Sequence, residues 1–315
     1  MDTLVFSVVL LAALLHATWN GMVKKHSDKA VALAGIILGH IPFSIVAIIL
    51  LPAPSIESIP YIFASIVVHI GYQWFLLKSY EIGDLTKVYP IARGTGPLLV
   101  TIISILLLGV VLNKFILISI FLICFGIFFL GISDYKNSSL NVIKFSFTTG
   151  LFIGSYSLVD GYGARVSNSA ISFVSWSFIL NAMIFPFILS LRGQKDIIKR
   201  VYREGKMIFF YGVTLSYASY ALAVWAFTKA PIPVVTSLRE TSILLSIFIG
   251  YFLLKESINL KKIISILFIL LTTFITPICV ITVNATIKNR LKDFLIAILI
   301  LETFMIGVFC SLDLV

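Results

Sequence analysis

An all-α polytopic membrane protein, built of two inverted five-helix repeats with an additional C-terminal helix, is predicted by three observations on this chain. Its 315 residues are 59% hydrophobic and only 12% charged, with a mean hydropathy of +1.07, whereas charged residues make up about 25% of a soluble domain. Apolar runs of about 20 residues, the length that crosses a bilayer, recur eleven times. Two of these runs each carry a lone arginine, Arg93 in YPIARGTGPLLVTIISILLLG and Arg239 in VTSLRETSILLSIFIGYFLLK, and their surroundings match. At an ungapped offset of 146, residues 93–130 lie on 239–276 with 13 identities in 38 pairs, among them Arg93/Arg239, Thr95/Thr241, Asn113/Asn259 and Ser119/Ser265. Chance would give roughly four.

The runs place spans near 4–23, 30–51, 60–80, 86–110 and 114–132, then 145–164, 169–190, 207–228, 232–254 and 263–284, and finally 294–313. This divides the chain into a first repeat at 1–133, a second at 141–284 and an extra helix within 285–315. The turn-forming segment DYKNSSLN (134–141) separates the halves. Five spans precede it, so the second repeat crosses in the opposite sense to the first, as in carriers that place a substrate site where inverted halves meet. The first run continues to Trp19 without a basic start and reads as a helix of the repeat rather than a leader. The polar segment RGQKDIIKRVYREGK (192–206) reads as a helix lying in the interface, solvated on one face.

The net charge of +10 comes from basic residues in short loops beside helix ends, which read as orientation signals rather than a nucleic-acid surface. They are densest after the odd-numbered spans, which places Met1 outside and the 192–206 loop in the cytoplasm. Cys124, Cys279 and Cys310 sit inside apolar runs at unrelated spacings, so neither a disulfide framework nor a metal site is expected. HxxxH, GxSxG and CxxC are absent, and the loops are too short for an extramembrane active site. The reading is therefore not an enzyme, and it calls for no cofactor, metal or nucleic acid.

Polar residues at membrane depth carry the functional expectation. His16 and Asn20 in the first span align with Tyr156 and Asp160 in the sixth at an offset of 140, and each pair is spaced i, i+4, on one helical face. A carboxylate in hydrocarbon faces a partner or a wet cavity. Asp160 is thus expected to look inward, as partner of a buried arginine or as a proton or amine site; a helix-end aspartate near the interface is the competing reading. Pro90, Gly94 and Gly96 predict a broken helix start, and such breaks survive at membrane depth only where they line a cavity or are buried in protein. Arg93 stands there, able to hold an anionic group; capping of carbonyls is the alternative.

Glu240 follows Arg239, but neighbours on a helix diverge by about 100°. One of them is expected to face the cavity and the other its twin repeat. Two positive charges (Arg93, Arg239) against two negative (Asp160, Glu240) suit a zwitterion better than a multiply charged anion. Histidine titrates near neutral pH, and of His16, His40 and His69 the first is the candidate for carrying a coupling proton. Helix–helix hydrogen bonding is the plainer role for all three. Trp19, Tyr72, Tyr89, Tyr156, Tyr220 and Trp225 are candidate cavity walls, or interface anchors.

HATWN (16–20), YEIGDLTKVYPIARG, SYSLVDGYGARVS (155–167) and AFTKAPIPVVTSLRETS together resemble the drug/metabolite transporter superfamily, in particular the ten-helix EamA-type proteins. The resemblance covers about 2–284. It implies two five-helix repeats, a multi-pass protein of the cell inner membrane with its N-terminus inside, and export or exchange of amino acids and other metabolites. His16, Asn20, Tyr89, Arg93, Asp160, Arg239 and Glu240 match the motifs. Two departures stand out. Gly109-Val110 replaces a Gly-Glu pair at the end of the fourth span, while Lys255-Glu256 keeps the second-repeat counterpart; and the tail 294–315 extends past the family pattern. Glu302 in that tail would seal against the bundle or pair two copies in a homodimer, unless the tail reflects an altered reading frame.

The expectation is a secondary transporter in contact with membrane lipids, moving a small-molecule substrate that is polar and amino-acid-like, anionic or zwitterionic. Arg93, Arg239, Asp160, Tyr89, Asn20, Trp19, Tyr156 and Glu240 are expected at the substrate, and His16 with Asp160 at the coupling proton. A lipid or lipid-linked sugar flippase of the same superfamily is the alternative.

Overall fold

The computed structural model describes residues 2–245, apart from 83–84, 113, 115, 119, 122–123, 126–139 and 195. The expected spans at 263–284 and 294–313, the end of 232–254, most of the 134–141 separator and the tail with Glu302 lie outside the described residues. Among the described residues every element is helical: α1 (Thr3–Lys25), α2 (Lys29–Leu50), α3 (Ile59–Ile82), α4 (Leu85–Leu106), α5 (Leu140–Val166), α6 (Ala170–Leu191), α7 (Ile197–Glu204), α8 (Val213–Lys229) and α9 (Ile232–Arg239). A 3₁₀ turn at Ile56–Ser58 leads into α3, a π turn at Ile208–Gly212 leads into α8, and helical residues recur between 114 and 125.

Six of these helices, α8 counted with the π turn that leads into it, are long and apolar enough to cross a membrane, and Ile91–Leu106 within α4 forms a shorter apolar segment. The outer surface confirms the solvent. Phe63 and Val67 on α3, Met183 and Phe187 on α6, and Phe210 before α8 are all more than 60% exposed. Such rows on a water-soluble surface would be an aggregation hazard; facing acyl chains they are ordinary. In lipid, helices associate through close packing rather than through the hydrophobic effect, so the small residues decide where helices touch.

That is clearest at α4 and α5. A Cβ on Gly150 would lie 2.5 Å from Thr95 Cβ and 2.6 Å from the Ala92 carbonyl oxygen, and one on Gly154 would lie 2.9 Å from the Gly96 carbonyl oxygen. The glycines therefore set the distance between these helices. α4 runs unbroken from Leu85 to Leu106, which corrects the broken start expected from Pro90, Gly94 and Gly96. Pro90, the sixth residue of the helix, leaves one ladder bond unmade without ending it, and Gly96 serves the contact with Ile153 and Gly154.

Packing between the halves is reciprocal. α1 lies on α8 and α3 on α5; α2 lies on α6; α4 meets α9. α2 and α6 each carry an internal proline, Pro42 and Pro186, so the central pair of the bundle holds two helices whose ladders are each interrupted once. The core joins the halves, with Val5, Val9, Ile62 and Ile66 packed against Phe173, Phe178, Phe227 and Leu238.

The interfacial helix expected in 192–206 is α7. Ile197 and Val201 are buried against Ala30, Val31 and Leu189, while Ile198 and Tyr202 face outward. It is tied to the α1–α2 turn. Asp28 caps α2 by accepting from the Val31 amide at 3.0 Å, and its other carboxylate oxygen accepts from Arg200 of α7. Partial burial raises the Asp28 pKa, but the Val31 amide and Arg200 outweigh it and hold the carboxyl below its ordinary value.

Two outcomes test this packing. Gly150→Ala is expected to lower the melting temperature in detergent because its methyl meets backbone. Gly35→Ala, whose methyl meets only side chains at 3.6 and 3.7 Å, should be neutral or stabilising by up to about 1 kcal/mol. Asp28→Ala is expected to cost about 1 kcal/mol near neutral pH, mostly the lost cap, since the Arg200 pair is about one-third exposed. Because the folded pKa is depressed, this contribution is fully present above about pH 4 and disappears as pH falls through the folded value. Melting curves of wild type and variant should converge in acid.

Candidate functional site

The bundle encloses a cavity with about 640 Å³ of atom-free space, part of it continuous with the outside. Both halves build its wall. α1 contributes His16 and Trp19, α2 contributes His40 and an apolar side of Leu33, Ile36 and Ile37, and α3 contributes His69, Tyr72 and Gln73. From the second half come Tyr156 on α5, Phe178 and Asn181 on α6, Ser216 and Tyr220 on α8, and Arg239 at the end of α9. A smaller pocket of about 430 Å³ leads toward Lys29, past Asn20 and Val23. Trp19, Leu33 and Tyr72 line both chambers and form the partition between them.

The charged groups sort themselves by the geometry of α9. Its last turn tightens: the Glu240 and Thr241 amides donate to Ser237 and Leu238, three residues back, at 3.1 Å each, before helical residues resume at Ser242. Bonds of this spacing overwind the chain, and across this turn consecutive side chains leave in different directions. Glu240 points to α4, where its Oε2 is 2.8 Å from Arg93 Nε, with both side chains about 95% buried. Arg93 also donates to Ser242 Oγ at 3.3 Å. Arg239 instead lines the cavity, its guanidinium 5.5 Å from the Tyr220 ring centre, and its Nε has no hydrogen-bond partner among the described residues.

Asp160 is not a helix-end aspartate. It is 1% exposed on α5, and its Oδ2 accepts from His69 Nε2 at 2.9 Å and from the Tyr220 hydroxyl. Its Oδ1 has no hydrogen-bond partner among the described residues. His69 is stacked on Tyr156 with ring centres 4.4 Å apart. His16, placed by sequence at the coupling proton with Asp160, stands edge-on to Trp19 at 5.0 Å; the histidine that reaches the aspartate is His69. His40 stacks on Phe178 at 4.3 Å and is 3.2 Å from Ser216 Oγ.

The other expected residues divide. Trp19 and Tyr156 are in the cavity wall; Asn20 lines the smaller pocket and donates to the His16 carbonyl at 2.8 Å. Arg93 and Glu240 are engaged with each other. Tyr89 falls within α4, and its side chain lies outside the described ones. Among the described residues no group of His, Cys, Asp or Glu is arranged to hold a metal, and Cys124 is buried with a free thiol. Sequence reasoning passed over Gln73 and Asn181, each about 95% buried at the cavity, whose side-chain oxygens have no hydrogen-bond partner among the described residues. The signal was present: a single amide inside an otherwise apolar span, and for Gln73 an i, i+4 spacing from His69.

Comparison with known proteins bears on residues 140–278, which match the EamA-like transporter family. A solved structure titled only as the crystal structure of a protein superposes with a TM-score of 0.66 at 13% identity, covering 89% of this chain and 98% of that one; at that identity the likeness is one of fold. Curated proteins match over a short stretch. The NADH-ubiquinone oxidoreductase chain 4 of Marchantia polymorpha is 51% identical over 51 residues, 16% of this chain and 10% of that protein. Subunit M of the NADH-quinone oxidoreductase of Rickettsia conorii is 47% identical over 51 residues, again a tenth of its length. A stretch of that size is about two membrane spans.

Buried amides without partners carry a penalty of about 1–3 kcal/mol each. Asn181→Leu is therefore expected to leave the melting temperature of the empty protein unchanged or raise it, while Phe178→Ala, which removes a packed ring, lowers it by several degrees.

Proposed function

We propose, on the match of residues 140–278 to the EamA-like transporter family, that this chain is a membrane transporter, a secondary carrier for a small, amino-acid-like metabolite, anionic or zwitterionic, that binds at Arg239. The observation that carries the reading is the separation of the two arginines. Arg93 is matched by Glu240, whereas Arg239 presents a guanidinium to the cavity with its Nε unfilled among the described residues. A fixed, planar donor group in a site of low dielectric reads carboxylate or phosphonate well.

The remaining wall suits the rest of an amino acid. Gln73 and Asn181 offer side-chain oxygens without partners among the described residues, and Leu33, Ile36 and Ile37 provide an apolar side. The reciprocal packing of α1 on α8 and α3 on α5 supports two repeats, 1–133 and 141–284, moving against each other around the cavity. Trp19 and Tyr72, shared by the two chambers, are placed to act as a gate on one side. Alternating access then needs only that this partition open while the opposite side closes. Helical spans favour an inner-membrane placement, since outer-membrane spans are barrels.

The test is substrate-induced thermal stabilisation of the purified protein across amino acids, aminophosphonates, dicarboxylates and polyamines, followed by counterflow in proteoliposomes. Stabilisation by acidic or zwitterionic compounds is expected, reduced at least tenfold in apparent affinity by Arg239→Gln and partly kept by Arg239→Lys. Stabilisation by cations or lipids alone would contradict the reading and favour a flippase.

A further inference from the structure

We infer that His69 and Asp160 form the protonation site of the transport cycle, taking up a proton when an acidic group of the ligand pairs with Arg239 and releasing it when that group leaves. The coupling half of this inference rests on the reading of the cavity as a substrate site; the protonation half stands on the pair alone.

The argument is one of charge balance at membrane depth. Arg93 and Glu240 neutralise each other at 2.8 Å. What remains among the described buried charges is Arg239 and Asp160, both at least 96% buried, with no ion pair joining them. Between them stands Tyr220, whose ring lies near the Arg239 guanidinium and whose hydroxyl donates to Asp160. An uncompensated charge in the bilayer interior is costly. While the cavity is empty, Arg239 is the cation that balances Asp160. A ligand carboxylate arriving at Arg239 uses that balance, and Asp160 is left as an excess buried anion unless a cation forms beside it.

His69 is placed to become that cation. Its Nε2 faces Asp160 Oδ2 at 2.9 Å, so in the neutral ring Nε2–H donates to the carboxylate and Nδ1 keeps a lone pair. A proton from water adds at Nδ1, the imidazolium pairs with Asp160, and loss of the same proton restores the starting state; no bond other than N–H forms or breaks. Stacking on Tyr156 and edge contacts with Tyr220 at 5.6 Å and Phe178 at 6.3 Å hold the ring in this orientation.

The surrounding groups leave this role to His69. From α5 it meets Asp160 and Tyr156; from α8, Tyr220; from α2, His40, which is engaged with Ser216. α6 presents neutral groups there, Asn181 and Phe178, and Tyr72 is the titratable neighbour on α3 itself. Arg239 stands at the end of α9 and His16 across the cavity on α1. Arg93 on α4 is held by Glu240, and Glu57 lies in the 3₁₀ turn before the start of α3. Of the three histidines on the cavity wall, His69 is the one in an ion-pair contact with a carboxylate among the described residues.

Proton uptake by the purified full-length protein in weakly buffered detergent, followed from neutral pH into acid, tests the pair without a ligand. Wild type is expected to bind about one proton more over the titration than His69→Gln, which keeps a donor to Asp160 and so the local packing; Asp160→Asn should shift the same step. 4-Methylpentanoate, which is leucine without its ammonium, is then added as the probe, since a zwitterion would bring its own cation to Asp160. Wild type should take up a proton on binding, and His69→Gln should bind with none. Superimposable uptake curves for wild type and His69→Gln would overturn the inference whether or not the probe binds. Binding heat without proton exchange in wild type would overturn the coupling. An intact titration difference with no binding of 4-methylpentanoate or of any amino acid would support the protonation site and reject the cavity reading instead.

Discussion

The ion pair between Arg93 and Glu240 is the constraint from which the rest of the polar interior follows. Two charges almost fully removed from solvent cost several kcal/mol each to bury and tolerate one another only with close geometry. Here the pair joins α4 of the first half to the turn after α9 of the second, at the point where the two arginine-bearing segments meet. Committing Glu240 to Arg93 has a consequence one residue away. Arg239, with no carboxylate paired to it among the described residues, lines the cavity, where a ligand group can complete it.

The same cavity shows the tension between stability and function. Asp160 Oδ1, Gln73 Oε1, Asn181 Oδ1 and Arg239 Nε are buried groups without hydrogen-bond partners among the described residues. Several buried hydroxyls are satisfied locally, as Thr95, Ser146 and Ser157 are by donating to carbonyls four residues back, while those of Ser44, Ser65, Ser172 and Ser177 also lack a partner among the described residues. What sets Gln73, Asn181 and Arg239 apart is their place in the cavity wall, beside an apolar patch of Leu33, Ile36 and Ile37, a combination of unmet polar groups and apolar surface that suits a small ligand.

Much of this was legible in the sequence because membrane physics leaves few options. Apolar run lengths gave the spans: 60–80 became Ile59–Ile82, and 169–190 became Ala170–Leu191. The mixed charges of 192–206 gave the interfacial α7. The rule that adjacent residues diverge on a helix gave the split between Arg239 and Glu240, though not which of them would face the cavity. What stayed hidden depended on distance in the chain and on packing. His69 and Asp160 are 91 residues apart, and no local pattern says which of three histidines meets the carboxylate. Pro90 and the glycines of α4 looked like a break because sequence shows a missing donor and missing side chains but not the close face of α5 against Gly96.

A double-mutant cycle on the central pair tests this account most directly, with melting in detergent measured for Arg93→Leu, Glu240→Leu and the double variant. Each single change strands a buried charge and should cost about 3–5 kcal/mol, while the double variant, with neither charge present, should recover most of the loss. Losses that simply add, with no coupling between the two positions, would mean that the pair does not join the halves and that Arg239 owes its freedom to something else.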